Sequence, residues 1–196
     1  MSDSPAPRLL APGTRVRCRP QDPNRHNRAP RYVQDHVGEV LEDFLARAKP
    51  MNGARLIARA WIDDEFRRRL LGDAGSAVEE MALPSLSALR VIENTAVIHN
   101  VVVCTLCSCY PVGLLGPSPS WYKSEPYRAR VVREPRAVLA EFGLQLDPEV
   151  QIRVWDASAE ARYLVLPRRP AGTQALNENE LAMLVTRAGM IGTAAV

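Results

Sequence analysis

Three cysteines fall within six residues of this chain, Cys104, Cys107 and Cys109, in the string Val103-Cys-Thr-Leu-Cys-Ser-Cys-Tyr110. The spacing C-x-x-C-x-C gathers three soft sulfur donors on one tight turn, so the rest of the fold must hold that turn in a fixed place. The chain opens on the polar, proline-rich Met1-Ser-Asp-Ser-Pro-Ala-Pro7, with no basic segment leading into an apolar stretch. Such an opening is read as cytoplasmic, and clustered cysteines there point to metal or redox chemistry rather than to a disulfide framework. Structural zinc needs four ligands and no second cysteine pair is present, which leaves His99, on or beside the strand entering the turn, as a possible fourth. A redox C-x-x-C needs a helix N-terminus just after a strand, and the Thr-Leu filling does not decide that point. A third reading uses the single residue between Cys107 and Cys109. Two thiolates flanking one residue leave backbone amides beside a metal, and deprotonated amides complete a planar set of two nitrogens and two sulfurs. Only a strongly Lewis-acidic ion, such as a trivalent first-row metal, offsets the loss of amide protons, with the third thiolate axial and the opposite face open. Exposed thiolates at such a site oxidise to sulfenic or sulfinic acid. Cys18 stands alone and reads as a small buried hydrophobe.

With 196 residues, the chain has room for one domain and an appended arm. Its hydrophobic content of 46% and charged content of 24% are those of a globular protein. The longest apolar run, 101–103 with 104 and 106, falls far short of the roughly 20 residues of a membrane span. Lysine occurs only at Lys49 and Lys123, so the net charge of +3 is carried by arginine. Arg15, Arg17, Arg19, Arg25, Arg28 and Arg31 crowd the N-terminal part. Arginine is the usual residue of protein interfaces and oxyanion pairing, and no nucleic-acid partner is expected from so small a net charge.

Prolines at 5, 7, 12, 20, 23 and 30 break up the first 35 residues, where Thr14-Arg-Val-Arg-Cys-Arg19 predicts one short strand. Val37, Val40, Leu41, Phe44 and Leu45 fit one helical face, and Pro50, Asn52 and Gly53 mark a boundary. Helices are predicted over 54–61, from an Asp63 or Asp64 cap through Leu71, and over 76–81. Strands are predicted over 89–93 and 100–104. Residues 110–126, rich in Pro and Gly, read as a long loop. A helix follows with Pro135 at N1 and ends at Gly143, then come strands over 150–155 and 162–166 and a helix over 178–187. The fold class is α+β: an extended and helical arm over 1–50, then a metal-binding domain over 51–196.

From Glu93-Asn-Thr-Ala-Val-Ile-His-Asn-Val-Val-Val-Cys-Thr-Leu-Cys-Ser-Cys109-Tyr-Pro through Trp121-Tyr-Lys-Ser and Tyr127-Arg-Ala-Arg-Val-Val-Arg-Glu-Pro-Arg136, the sequence closely resembles the nitrile hydratase alpha subunit. The likeness begins near Asn52-Gly-Ala-Arg and continues through Val154-Trp-Asp, Ala159-Glu-Ala-Arg-Tyr-Leu-Val-Leu-Pro167, Arg169-Pro-Ala-Gly-Thr173 and Met190-Ile-Gly-Thr193. The resemblance implies a layered α-β-β-α domain and a non-corrin Co(III) or non-haem Fe(III). The ligands it implies are the sulfurs of Cys104, Cys107 and Cys109 and the amides of Ser108 and Cys109, with Cys107 oxidised to the sulfinate and Cys109 to the sulfenate. Thr105 and Tyr110 match the cobalt form. The metal polarises the nitrile, a hydroxide or the Cys109 sulfenate supplies the nucleophile, and the product is an amide. Asp156 and Arg162 match positions that brace the claw. Ser108 is expected to hydrogen-bond a group at the metal, while Tyr110, Val112 and Trp121 are expected at the substrate pocket. His99 is expected to be a satisfied structural histidine.

Two regions depart from the family pattern. Gly13-Thr-Arg-Val-Arg-Cys-Arg, Asn24-Arg-His-Asn-Arg-Ala-Pro-Arg-Tyr32 and Gly38-Glu-Val resemble part of the beta subunit's C-terminal barrel. There Arg28 occupies the place of an arginine that contacts the oxidised cysteines, with Asn27 where Thr is common. So short a fragment needs strands from a partner, which implies beta-type subunits in a hetero-oligomer. After the claw the family usually reads Tyr-Pro-Trp-Pro, and here the sequence is Tyr110-Pro111-Val112-Gly113. Loss of the indole and of the stiff proline predicts a wider pocket, suited to a bulky or heteroaromatic nitrile such as a nucleoside nitrile of the toyocamycin kind. The expected function is cobalt-type nitrile hydration. The alternatives are the metal-bearing subunit of thiocyanate hydrolase and a non-catalytic metal-binding or redox-sensing subunit.

Overall fold

Among the described residues four short strands pair two by two, and both pairs are parallel. In the computed structural model, which describes residues 31–85, 88–107 and 109–196 (side chains from 38 onward), β1 (Leu89–Glu93) pairs with β4 (Arg162–Leu166). β2 (Ile98–Val103) pairs with β3 (Gln151–Asp156). Parallel partners need long crossovers, and the chain between β2 and β3 uses its crossover to carry the three cysteines and the helices that follow them. The strand expected at 14–19, Cys18, Arg28 and Ser108 lie outside the described residues.

The chain divides into two units, Met1–Gly38 and Glu39–Val196. The second opens inside helix α1 (Arg31–Arg47), so that Gly38-Glu-Val, which the resemblance places with a barrel, lies in a helix. Pro50, Asn52 and Gly53, expected to mark a boundary, lie inside α2 (Pro50–Ile62) as its first residues. Pro50 sits in the first turn, where its missing N–H costs nothing. Asn52 donates to the carbonyls of Arg47 and Gly113, and a Cβ at Gly53 would stand 2.7 Å from the Met190 sulfur. Ala54, Leu56, Ile57, Ala58 and Ala60 bury the rest of this helix. Asp63 caps α3 (Asp64–Gly72) by accepting from the Phe66 amide at 2.9 Å, and Asp73 caps α4 (Ala74–Glu80).

The segment expected to be a long loop holds α5 (Val112–Leu115), a 3-10 turn over Ser120–Lys123 and the start of α6 (Glu125–Arg133). Three of its four prolines start helices instead of preventing them: Pro111 and Pro119 stand at N-caps and Pro126 in the first turn of α6. α7 (Pro135–Glu141) ends before Gly143, as expected. The predicted helix over 178–187 is two, α8 (Glu178–Leu184) and α9 (Arg187–Ile191), divided where Thr186 caps the second.

β2 is buried from His99 to Val103, and a polar hub secures its entry. His99 is 7% exposed; its Nε2 lies 2.7 Å from the Gly192 carbonyl and its Nδ1 3.3 Å from the Asn94 amide nitrogen. With Nε2 protonated and donating, Nδ1 accepts, so the neutral ring satisfies both nitrogens. Gly192 has φ of +91°, and a Cβ there would meet the Asn100 carbonyl oxygen at 2.0 Å. Asn100 in turn receives the Trp155 indole N–H at 2.8 Å, tying β2 to β3.

Burial pushes the His99 imidazole below its ordinary value, against the opposing effect of the Gly192 carbonyl. The unfolded chain therefore takes up a proton more readily than the folded one, and the stability this group contributes is present above about pH 6.5 and lost on acidification. The unfolding temperature is expected to fall as pH is lowered through this range, and His99→Gln should flatten that slope. A variant with the wild-type pH dependence would contradict the assignment.

Candidate metal centre

Cys104 is the first residue beyond β2, and it is fully buried. The register that pairs Val103 with Asp156 sets the last residue of β3 beside it. The Asp156 carboxylate accepts from the Thr105 amide at 2.9 Å and from the Thr105 hydroxyl at 2.5 Å, so the turn starts with both donors of Thr105 fixed. The chain then turns back: Cys107 N–H donates to the Cys104 sulfur at 3.3 Å. Leu106, 87% exposed, forms the outer edge of the turn.

The three sulfurs converge. Cys104 and Cys107 are 3.6 Å apart, Cys107 and Cys109 2.9 Å, and all three lie within 4.8 Å of one another. Metal–sulfur bonds of about 2.3 Å allow a single ion to reach all of them. Cys104 and Cys109 are buried and Cys107 is exposed. Burial pushes the Cys104 thiol up, but the amides of Cys107 and Cys109 and the Cys107 thiol outweigh it and bring it down to about 7. Burial, the Cys107 thiol and the charge on Cys104 push Cys109 up to about 12, against the pull of Arg162. Three thiolates this close repel one another, and a cation among them removes the repulsion. The donor set therefore fits a soft-accepting transition metal. Among the described residues the cluster contains the three cysteines and not His99, whose nitrogens are engaged in the hub. The C-x-x-C does not open a helix either, since α5 begins only at Val112.

Three further donors, which the sequence motifs contained but did not single out, hold the turn from the side of the crossover. The Tyr127 hydroxyl donates to the Val102 carbonyl at 2.7 Å and the Tyr122 hydroxyl to the Cys109 carbonyl at 3.0 Å, one on each side of the turn. Burial pushes both phenols up, which keeps them protonated and donating. Arg128 reaches the carbonyls of Thr105 and Leu106, both at 3.4 Å. For the two tyrosines the available signal was aromatic clustering, since buried tyrosines need an acceptor for the hydroxyl; for Arg128 there was none.

Arg162 opens β4, donates to the Ser158 carbonyl and exerts its charge on Cys109. It also lines a cavity of about 300 Å³ with Tyr110, Val112, Leu41, Phe44 and Leu89. The Tyr110 hydroxyl is buried with no hydrogen-bond partner among the described residues. Trp121, expected at the pocket, is absent from the lining of this cavity and packs on Phe142 and Tyr127 at centroid distances of 4.7 and 4.9 Å. Gly113 does not loosen the loop. A Cβ there would stand 2.0 Å from the Pro84 carbonyl oxygen, so close backbone approach, not mobility, requires the glycine.

Residues 30–194 match the family model described as nitrile hydratase, alpha chain. The chain is similar to the low-molecular weight cobalt-containing nitrile hydratase subunit alpha of Rhodococcus rhodochrous, 55% identical over 81% of this chain and 76% of that one. It is also similar to the thiocyanate hydrolase subunit gamma of Thiobacillus thioparus, 44% identical over 83% of this chain and 71% of that one. Among solved structures, a double mutant of the Fe-type nitrile hydratase from Comamonas testosteroni Ni1 superposes with a TM-score of 0.76 at 41% identity, covering 82% of this chain and 80% of that one.

Asp156→Ala removes both acceptors from Thr105. Amide hydrogen exchange at Thr105 is expected to quicken by roughly tenfold, the scale of one lost hydrogen bond, while the Val101 amide in β2 keeps its protection. Thr105→Val retains the amide bond and should leave the Thr105-position exchange close to wild type. Equal exchange in wild type and Asp156→Ala would show that the carboxylate does not hold the turn.

Proposed function

The chain belongs to the nitrile hydratase alpha-chain family, and from that premise we propose that it is the metal-bearing subunit of a cobalt enzyme hydrating a bulky or heteroaromatic nitrile. The observation that carries this reading is the convergence of the Cys104, Cys107 and Cys109 sulfurs on one point. The three sulfurs, with the amides of Ser108 and Cys109, would hold the ion. Cobalt is favoured over iron by Thr105 and Tyr110 and by the cobalt-containing relative, although an Fe-type enzyme is among the similar structures. When bound, Co(III) supplies Lewis acidity that polarises the nitrile carbon–nitrogen bond.

The net reaction adds one water across that bond, oxygen to carbon and two protons to nitrogen. Cys109, carried as the sulfenate, would present an oxygen nucleophile to the nitrile carbon; water attacking the sulfur would then break the sulfur–oxygen bond, restore the sulfenate and supply the two protons that reach nitrogen. Ser108, outside the described residues, would orient the reacting group by hydrogen bonding. Arg162, whose charge already acts on Cys109, stabilises the oxidised sulfur. Tyr110 and Val112 wall the cavity beside the claw, where valine in place of the family's tryptophan leaves space for a ring. A nucleoside nitrile of the toyocamycin kind is a substrate of that size. Beta-type subunits complete the enzyme in a hetero-oligomer, with Arg28, outside the described residues, directed at the oxidised Cys107 or Cys109. The working location is the cytoplasm; among the described residues no helix is long and apolar enough to cross a membrane. The 44% identity to a thiocyanate hydrolase subunit supports a second reading, hydration of thiocyanate at the same claw.

Purified complex grown with cobalt and iron both present is expected to contain cobalt, and Ala at Cys104, Cys107 or Cys109 should abolish both cobalt and activity. Stoichiometric iron alone, or an active cysteine variant, would contradict the reading. Turnover of aromatic nitriles with none of thiocyanate is expected, and the reverse would establish the second reading. Val112→Trp should cut turnover of bulky heteroaromatic nitriles by about tenfold more than that of acetonitrile, the scale of a filled pocket. Equal losses for both substrates would refute the pocket assignment.

A further inference from the structure

Arg128 projects from α6 one residue after the tyrosine that braces β2. Its Nη1 is shared between two claw carbonyls, and its buried Nε has no hydrogen-bond partner among the described residues. Two residues on, Arg130 is held by Glu134 and Glu141, as exposed arginines in helices commonly are. Among the described residues Arg128 has no such carboxylate; its hydrogen bonds go to neutral oxygens. A half-buried guanidinium with an orphaned donor is unfavourable unless negative charge lies close by. A metal-filled claw would supply that charge, because three thiolates and two deprotonated amides would hold more of it than a trivalent ion cancels.

The geometry also explains why a cation stands on this side of the turn. Asp156 accepts from the N–H and hydroxyl of Thr105, while Arg128 donates to its carbonyl. The first peptides of the turn are thus held at their donor end by an anion and at their acceptor end by a cation. We propose that Arg128 is a positioning residue of the metal-filled claw, fixing the Thr105 and Leu106 carbonyls and offsetting the negative charge left around the ion. This rests on the claw being a cobalt centre, and the test separates the two claims.

The test compares wild type, Arg128→Met, Arg128→Lys and the exposed-site control Arg133→Met in the assembled complex. The readouts are cobalt per chain, the sulfur-to-cobalt absorption band, and the gain in melting temperature that cobalt confers over metal-free complex. Arg128→Met is expected to lose cobalt by about tenfold at limiting supply, the usual scale for removing a partner of a ligand shell, with a smaller melting gain and a shifted band. Arg128→Lys, which keeps the charge within reach of the carbonyls, should recover most of the cobalt, and Arg133→Met should match wild type. Should Arg128→Met fail to assemble, Arg128→Gln, uncharged but able to donate, replaces it under the same criteria. Wild-type cobalt and an unshifted band in the uncharged variant would overturn the proposal. So would equal failure of Lys and Met, or an equal fall in melting temperature with and without metal. A wild-type complex holding no cobalt would instead overturn the metal reading beneath it.

Discussion

The parallel register of β2 and β3 decides where the three cysteines stand. Val103 pairs with Asp156, and the Ala157 amide donates to the Val103 carbonyl at 2.7 Å, so both strands stop at the same level. A slip of two residues would carry the carboxylate about 6–7 Å along the strand, out of reach of Thr105. A slip of one would turn it to the other face. The register is held in turn at the opposite end of β2 by the hub of Asn94, His99 and Asn100, closed by the Gly192 carbonyl and the Trp155 indole. The buried hub and the claw are two ends of one strand, and stability at the first is a condition for geometry at the second.

The turn that carries the three sulfurs has few bonds of its own, and its neighbours supply the rest. Donors approach its carbonyls from the 3-10 turn and α6, where Tyr122, Tyr127 and Arg128 stand within seven residues of one another. The acceptor comes from β3. This arrangement fixes the turn from outside, while the three sulfurs face one another. It also ties the turn to the long crossover: α5, the 3-10 turn, α6 and α7 lie between β2 and β3 in sequence, and the 3-10 turn and α6 supply the donors.

Much of this was legible in the residues. The cysteine cluster was legible in its spacing, which left metal and redox readings open until the family resemblance chose between them, and β1, β2, β3 and β4 were legible in their runs of branched residues, to within two positions. Asp63 as a cap, and Pro135 and Gly143 as start and stop, were signals with a local cause, which is why they held. What failed was proline and glycine read as breakers. Pro50, Pro111, Pro119 and Pro126 occupy first turns or caps, and Gly53 and Gly113 make room for Met190 and the Pro84 carbonyl. Those roles depend on contacts with residues far along the chain, to which a local pattern is blind. Arg128 and the two tyrosines were missed for the same reason: the partner of each is a carbonyl oxygen, which every residue carries and no sequence motif marks.

X-ray absorption at the cobalt edge of the purified complex tests most directly whether the three sulfurs share one ion. A shell of three sulfurs together with lighter nitrogen or oxygen neighbours is expected, with the loss of one sulfur when Cys107 is replaced by Ser in any variant that still retains cobalt. A shell of nitrogen and oxygen alone, or a sulfur count unchanged by that replacement, would contradict a shared ion.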